Sequence, residues 1–203
     1  MRRVICGLKL SLVTFGVSAL LTASAVCAYG QVTSVINYVP LSLGRGMWEG
    51  SCWTGSIAVA RPDAWRCMAG NRILDPCFAS NGARYAVCEP NPVTGDPGIR
   101  LKLTEPLPQV YVPPWPKTRD SAWLVELADG TTCRPVTGAS WEVQGKYVSF
   151  YCESRAGGEE VDLLGGLNTR NPLWTAQKAT ISGDGLGQKL IKVQIIGVRR
   201  VWR

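Results

Sequence analysis

The chain has 203 residues, 46% hydrophobic and 18% charged, with 22 basic residues, 15 acidic residues and a formal net charge of +7. This length and composition exclude collagen, coiled coil and polar disorder, and they are sufficient for one ordinary domain or two small ones. The absence of histidine excludes Ser-His-Asp and Cys-His nucleophilic sites, histidine-ligated zinc and a histidine general base.

The N-terminal segment has the layout of a secretory signal peptide. Three cations within the first nine residues precede an uncharged run over 10–29 that ends in small residues, as export signals do. Cleavage after Ala28 removes two of the eight cysteines and leaves an even number, which suits disulfide formation. We therefore predict a signal peptide over 1–28. A retained membrane anchor is the alternative, because a run of about 20 apolar residues can span a bilayer.

Two further segments lack the patterning of regular structure. Residues 29–43 carry no charge and no periodicity, which predicts a flexible tether ahead of a single β-rich domain over 44–203. Residues 105–116 are rich in proline and are expected to be extended. We interpret them as a crossover loop within that domain. The alternative is a pair of lobes, 44–105 and 120–203, joined by this proline-rich segment.

The pattern of the folded part is mainly β. Short β-branched and aromatic runs recur between glycine, proline, asparagine and aspartate, which predicts a disulfide-stapled antiparallel sheet, as a sandwich or a barrel-like domain. The cleanest hairpin runs through 122–127, turns at Asp129-Gly130 and returns through 131–133. One short helix is predicted over 62–69, beginning with a proline and ending at a Gly-Asn cap. Further strands are predicted at 57–60, 84–88, 99–104, 141–143, 147–152, 173–181 and 190–202.

The cysteines left after the predicted cleavage are Cys52, Cys67, Cys77, Cys88, Cys133 and Cys152. An even number in an exported chain indicates disulfides, and no Cys-x-x-Cys pair points to a redox or metal site. Several connectivities are possible. The pairs 77/88 and 133/152 each flank a sequence typical of a hairpin turn, which favours them and leaves Cys52 with Cys67.

The densest stretch, Arg61 to Phe78, reads Arg-Pro-Asp-Ala-Trp-Arg-Cys-Met-Ala-Gly-Asn-Arg-Ile-Leu-Asp-Pro-Cys-Phe. It resembles a motif, RPDAWRCMxGNxIxDPCF, of uncharacterised exported or envelope-tethered bacterial proteins. The similarity continues through 98–104, 124–133 and 173–176, so it covers most of the chain beyond the signal peptide. That family has no assigned activity, and the resemblance therefore implies export and a shared fold but no catalytic residue.

The same stretch gathers polar residues that are candidates for a binding site, namely Asp63, Arg66 and Asn71. The alternative is a structural role, in which Asp63 caps the start of the predicted helix and Asp75 binds nearby backbone amides. Catalysis would have to use two carboxylates, Glu49 or Asp63 with Asp75, as acid and base on a glycosidic bond.

Tryptophan is unusually frequent, with eight residues against three phenylalanines. Most tryptophans in a small disulfide-rich β domain belong to the core, because each buries a large apolar area. Trp48, Trp53 and Trp115 lie beside glycine or proline in segments that read as loops. We predict that these three are exposed platforms for a ligand.

These patterns predict a secreted or envelope-associated, non-catalytic binding protein whose ligand is cell-wall polysaccharide or an envelope protein. No cofactor, metal ion or nucleic-acid partner is expected, and membrane contact is expected only if the N-terminal segment is uncleaved. Two alternatives remain: a histidine-free glycan hydrolase that uses two carboxylates, and a secreted protease inhibitor that presents a stapled loop.

Overall fold

The computed structural model describes residues 31–40, 44–108, 122–153, 160–182 and 189–203, and every regular element in these ranges is a strand. The strands are β1 (Ser34–Ile36), β2 (Arg45–Gly55), β3 (Ala64–Ala69), β4 (Arg72–Phe78), β5 (Tyr85–Cys88), β6 (Ile99–Leu103), β7 (Leu124–Leu127), β8 (Thr132–Pro135), β9 (Glu142–Val143), β10 (Lys146–Cys152), β11 (Glu160–Asn168), β12 (Thr175–Ser182) and β13 (Lys189–Trp202). The predicted β fold is confirmed. The predicted signal peptide lies outside the described residues, and the described part of the chain contains no helix that could cross a membrane.

Strands β2 to β6 form a closed barrel in the order β2-β3-β4-β5-β6. Sequential strands pair antiparallel, and the barrel closes through the parallel pairing of β6 with β2. Alternation in β6 decides which side chains point inward, because Leu101 is fully buried while its neighbour Lys102 is exposed. The core of this first barrel also contains Trp65, Leu74 and four half-cystines.

Strands β7, β8 and β10 to β13 form a second closed sheet. Its order is β13-β12-β11-β10-β8-β7, and β7 returns to pair with β13. The first half of β13 pairs with β12, while its second half pairs with β7 and, in parallel, with β1. Ala176 and Ala179 point to opposite faces of β12 and belong to separate apolar clusters, so both faces of this sheet are packed.

An aromatic cluster joins the first barrel to the second sheet. The rings of Tyr38, Phe78 and Trp123 pack against one another with centroids between 5.1 and 5.4 Å apart, a favourable spacing for tilted aromatic pairs. Beside them, the guanidinium of Arg61 donates to the backbone oxygens of Tyr38 and Arg203 at 2.6 and 2.9 Å. The two closed sheets therefore share one interface with both apolar and polar contacts.

Three disulfides, Cys52–Cys67, Cys77–Cys88 and Cys133–Cys152, have the predicted pairing. In each one the two cysteines lie directly opposite on adjacent antiparallel strands, with Cα atoms 3.9 Å apart. Closing loops of this length contributes about 3 kcal/mol each in the chain-entropy account. Three disulfides indicate a compartment outside the reducing cytosol.

The helix predicted over 62–69 is wrong, because Ala64–Ala69 forms strand β3. Trp65 and Cys67 are buried whereas Met68 is exposed, and Cys67 is covalently joined to β2. This burial follows the period of a strand. The glycine interpreted as part of a helix cap, Gly70, has a φ of 57° and forms the β3–β4 hairpin turn. A glycine with a positive φ angle is common both at the C-terminal end of a helix and in a tight hairpin turn.

Two other segments differ from the expectations. Residues 57–60 are irregular rather than a strand, because the hydroxyl of Ser56 accepts hydrogen bonds from the backbone N–H groups of Ala58 and Val59 at 3.0 and 3.1 Å and so competes with strand pairing. Within the stretch expected as a tether over 29–43, residues 34–36 form β1 and pair with β13.

Asp162 of β11 is a carboxyl group buried among apolar residues. It lies opposite Tyr151 and Ala179, is fully buried, and has no hydrogen bond of normal geometry to its carboxyl oxygens within the described ranges. Burial raises the pKa of Asp162 to about 7, the negative charge of Glu160 adds to the rise, and the backbone amide of Cys152 opposes it. The ionised form is therefore costly in this position.

We expect reduction of the disulfides to unfold the protein. Removing one link through the paired changes Cys77→Ala and Cys88→Ala should cost about 3 kcal/mol of unfolding free energy, and full reduction should remove a large part of a stability of roughly 5–15 kcal/mol. Urea denaturation followed by circular dichroism measures both effects. A midpoint that stays unchanged after reduction, with free thiols verified by mass spectrometry, contradicts this expectation.

Asp162 should make the stability depend on pH. Since its pKa rises from 3.8 to about 7 on folding, the unfolded chain releases the proton first, and stability falls as the pH rises from about 4 to about 7. We expect Asp162→Asn to match the wild type near pH 4 and to be more stable by about 2–4 kcal/mol near pH 8. Denaturant melts at both pH values test this, and parallel pH profiles for the two proteins would refute it.

Candidate functional site

The outer surface of β2, β3 and β4 carries a band of exposed apolar side chains. The register places Met68 opposite both Ser51 and Ile73, while Trp53 follows Ser51 by two residues on β2 and Arg66 precedes Met68 by two on β3. Trp53, Met68 and Ile73 are 44%, 42% and 43% exposed. We call these five residues the Trp53 face.

Two β-bulges bring the polar and aromatic parts of this face together. In the β2–β3 pairing, Trp53 is an extra residue of β2 beside the position opposite Arg66. In the β3–β4 pairing, Arg66 alone faces both Asp75 and Pro76. Bulges redirect side chains and increase the local twist. Here they allow Arg66 to contact an exposed indole on one side and a buried carboxyl on the other.

Arg66 connects the exposed ring of Trp53 to the buried side chain of Asp75. Its guanidinium carbon lies 5.8 Å from the centroid of the Trp53 ring, and its Nη1 lies 3.2 Å from Oδ2 of Asp75. The side chains of Arg66 and Asp75 are only 14% and 0% exposed. A cation–π contact gains strength as the cation loses water, so Arg66 orders the ring that stands above it.

Asp75 is held in turn by Ser56, which is also buried. The hydroxyl of Ser56 donates a short hydrogen bond to Asp75, and the N–H of Ile57 donates to its other oxygen at 3.2 Å. Burial raises the pKa of Asp75 above its ordinary value, whereas these hydrogen bonds and the charge of Arg66 act in the opposite direction. The network ends in groups without solvent contact, so it positions Arg66 and presents no accessible acid or nucleophile.

A second tryptophan of β2, Trp48, has a similar but more open support. The guanidinium carbon of Arg72 lies 5.5 Å from its ring centroid, and Arg72 Nη2 lies 2.7 Å from Oε2 of Glu89. Trp48 is 38% exposed and the Arg72 side chain 55%. Because this ion pair faces water, it restrains Arg72 less than Asp75 restrains Arg66.

Of the predicted binding residues, Trp53 and Arg66 are brought into contact. Trp48 and Trp53 lie in strand β2 and not in loops, and both are partly exposed. Trp115 lies outside the described residues.

Asp63 and Asn71 do not join the Trp53 face. Asp63 accepts hydrogen bonds from Arg61 at 2.9 and 2.6 Å, so it supports the arginine that links the first barrel to the second sheet. It lies just before β3 and cannot cap a helix there. Asn71 is exposed in the β3–β4 turn.

The carboxylates considered for catalysis bind separate cations. Glu49 lies 2.7 Å from Lys102, whose hydrogen bond and charge lower the pKa of Glu49. Asp63 and Asp75 pair with two different arginines. A glycosidase needs one protonated and one ionised carboxyl on either side of one bond. Of these three acids only Asp75 has a raised pKa, and its side chain has no exposed surface, so the three carboxylates form no such pair.

Three sulfur atoms of the first barrel lie close enough to resemble a metal site. The Sγ atoms of Cys67, Cys77 and Cys88 all lie within 4.8 Å of one another. Each belongs to a disulfide, and the thiolate is the form that binds metal. In the oxidised protein this group therefore supplies no metal ligand.

A surface groove of about 680 Å³ lies between residues 81–85 and 102–108. Its described walls include Arg84, Tyr85, Lys102 and Glu105, but no tryptophan. The exposed tryptophans of β2 are thus on a strand surface and not in this concavity. Small molecules are usually enclosed in a concave pocket, so the Trp53 face suits a protein surface better.

Comparisons with protein-family models, with curated proteins and with solved structures find no significant match to this chain.

Met68 and Ile73 were not among the residues predicted from the sequence. Large apolar residues at regular positions are expected in the core, and a helix was predicted where Met68 lies. A signal was nevertheless present, because Ile73 and Leu74 are consecutive and must point to opposite faces if the segment is a strand. Leu74 is fully buried, which leaves Ile73 outside.

We expect Arg66→Ala to destabilise the protein by about 3 kcal/mol, because it leaves the buried carboxyl of Asp75 without its cation. The loss should grow with rising pH, since Asp75 without Arg66 binds its proton more tightly and resists ionisation. Adding Asp75→Asn should recover part of the loss. The control Arg72→Ala should cost less than about 1 kcal/mol. Urea melts of these variants measure the effects, and equal losses for the two arginines would contradict the assignment.

Proposed function

We propose that this chain is a non-catalytic binding protein of the cell envelope and that it binds another envelope protein through the Trp53 face. The observation that carries the proposal is an exposed band of Trp53, Met68 and Ile73 around an arginine fixed by a buried carboxyl. The predicted signal peptide and the three disulfides support a location outside the cytosol.

The chemistry of the face is that of a protein-binding surface. Tryptophan, methionine and arginine are enriched in the buried centres of protein interfaces, and tryptophan and arginine dominate the residues whose loss weakens binding most. Arg66 has already lost most of its water through contact with Asp75 and Trp53. Binding a partner therefore adds little further desolvation or ordering of this side chain, which favours affinity.

Cell-wall polysaccharide is the other ligand expected from the sequence. The composition of the Trp53 face favours a protein over a polysaccharide. A sugar ring can stack on Trp53, but it gains little from the apolar side chains of Met68 and Ile73, which make up much of the exposed surface. An apolar protein side chain can use all three. We therefore propose a protein partner.

The test compares the wild type with Trp53→Ala, Met68→Glu and Ile73→Glu, and with a matched control, Tyr147→Glu, at an exposed position of β10. A photo-reactive amino acid replaces Ser51 in each protein, and the proteins are irradiated with an envelope extract of the source organism. We expect one cross-linked partner for the wild type and the control, with yields about tenfold lower for the three face variants.

Sedimentation with purified cell wall separates the two ligand classes. Wall binding that is lost in Trp53→Ala but kept in Met68→Glu would replace the protein partner by polysaccharide. Cross-linking that is unchanged by all three face variants would remove the Trp53 face from the proposal.

A further inference from the structure

The first half of β13 presents a second exposed apolar surface, far along the chain from the Trp53 face. Ile191, Val193 and Ile195 are 53%, 40% and 67% exposed, and Val193 and Ile195 lie two residues apart in the regular part of the strand, on one face. Large apolar side chains repeated along one strand are unusual on a free surface.

The same stretch is the edge of its sheet among the described strands. On one side, residues 189–197 pair with β12, with a register shift at Ile191 and a regular ladder from Lys192 to Gly197. On the other side, β7 reaches only to Val198 in the strand register, and the last contact is the hydrogen bond from Ala128 N–H to the carbonyl of Gly197 at 2.9 Å. N-terminal to Gly197, no described strand pairs with this side of β13.

Alternation then decides which backbone groups face this open edge. The Gly197 carbonyl points toward β7, whereas the N–H of Val198 donates to Trp174 on the β12 side at 2.8 Å. In an antiparallel ladder the N–H and C=O of one residue point to the same side, and the side changes with each residue. The N–H and C=O of Val193 and Ile195 therefore point to the open edge and are available to another strand.

The sequence of this edge is complementary to itself when it is read antiparallel. A two-fold axis at Val193 puts apolar residues opposite apolar residues and a cation opposite an amide. In the regular stretch the pairs are Val193 with Val193 and Lys192 with Gln194, and Ile191 at the register shift lies opposite Ile195. No two like charges meet, although this stretch contains two lysines.

A neighbouring register is less complementary. Centring the axis on Gln194 places Ile191 opposite Gly197 and Lys192 opposite Ile196. Cross-strand pairs of β-branched residues stabilise a ladder. The axis on Val193 gives the pairs Val193–Val193 and Ile191–Ile195, whereas the axis on Gln194 gives only Val193–Ile195, so the arrangement centred on Val193 is favoured. The N–H and C=O of Val193 face the open edge, so the two Val193 residues on the axis can each donate a hydrogen bond to the other.

We infer that this chain forms a symmetric dimer by antiparallel pairing of β13 with β13 of a second copy, centred on Val193. The inference is independent of the proposed function, because it uses the opposite end of the sequence and needs no ligand. Edge pairing of this length buries an area at the small end of specific interfaces. We therefore expect a dissociation constant in the range of about 1–100 μM.

Sedimentation velocity across about 1–500 μM protein tests the dimer, with Val193→Lys, Val193→Glu and the control Val39→Lys, which lies outside the strands and is 65% exposed in the wild type. We expect the wild type and the control to dimerise. Each single Val193 variant should bind itself at least about tenfold more weakly, because it opposes like charges on the axis. An equimolar mixture of the two should regain the dimer.

Regained dimer in the mixture also shows that both variants are folded and that the axis passes through Val193. A wild type that stays monomeric at every concentration overturns the inference, as does a Val193→Lys protein that dimerises like the wild type. A mixture that remains monomeric, while both variants keep the wild-type circular dichroism spectrum, overturns the proposed register.

Discussion

Strand register is the constraint on which both closed sheets depend, and three cross-strand disulfides fix it covalently. A slip of one residue in a strand moves its core side chains to the surface. In β3 such a slip would expose Trp65 and bury Met68, and the bond between Cys67 and Cys52 prevents it. The Cys77–Cys88 link fixes β4 against β5 in the same core. The bulges that bring Arg66 to Asp75 and Trp53 thus lie between two covalently fixed points, which explains how a small barrel can hold an irregular pairing.

The two buried aspartates show how the same side chain acquires different roles. Asp75 is surrounded by donors, a hydroxyl, a backbone amide and a guanidinium, so its burial orders a cation at the surface. Asp162 lies opposite Tyr151 and Ala179 and has no comparable set of donors among the described residues. Burial therefore raises the pKa of Asp162, and this carboxyl does not position a cation as Asp75 does. A buried acid organises a site only when donors converge on it, and this criterion separates the Trp53 face from the interior of the second sheet.

Much of the fold was predictable from local pattern, because hairpins depend on short-range signals. The Asp129-Gly130 turn, the alternation of β6 and the cysteine spacing all describe contacts between residues near in sequence. The prediction of a helix over 62–69 is wrong because its two signals also fit a hairpin. Proline is common at the start of a helix, but it and a glycine with positive φ are compatible with a strand and its turn as well, and the residue that decides between them, Cys52, lies on another strand.

The site was harder to predict than the fold. Contact between Trp53 and Arg66 requires two bulges, and bulge positions follow from the pairing of three strands that no single segment encodes.

Two different features limit nonspecific association through the exposed apolar residues of this chain. On the Trp53 face, Arg66 inserts a charge into the apolar band, and a partner must accommodate that cation as well as the indole above it. Along β13, Lys192 and Gln194 alternate with the apolar residues, so a strand that pairs there must present a neutral or acidic group, and not a cation, opposite the lysine. Charges placed within apolar strand surfaces are a general device against edge-to-edge aggregation. Each surface therefore limits its partners for a different reason, the first through a fixed cation and the second through the spacing of its own sequence.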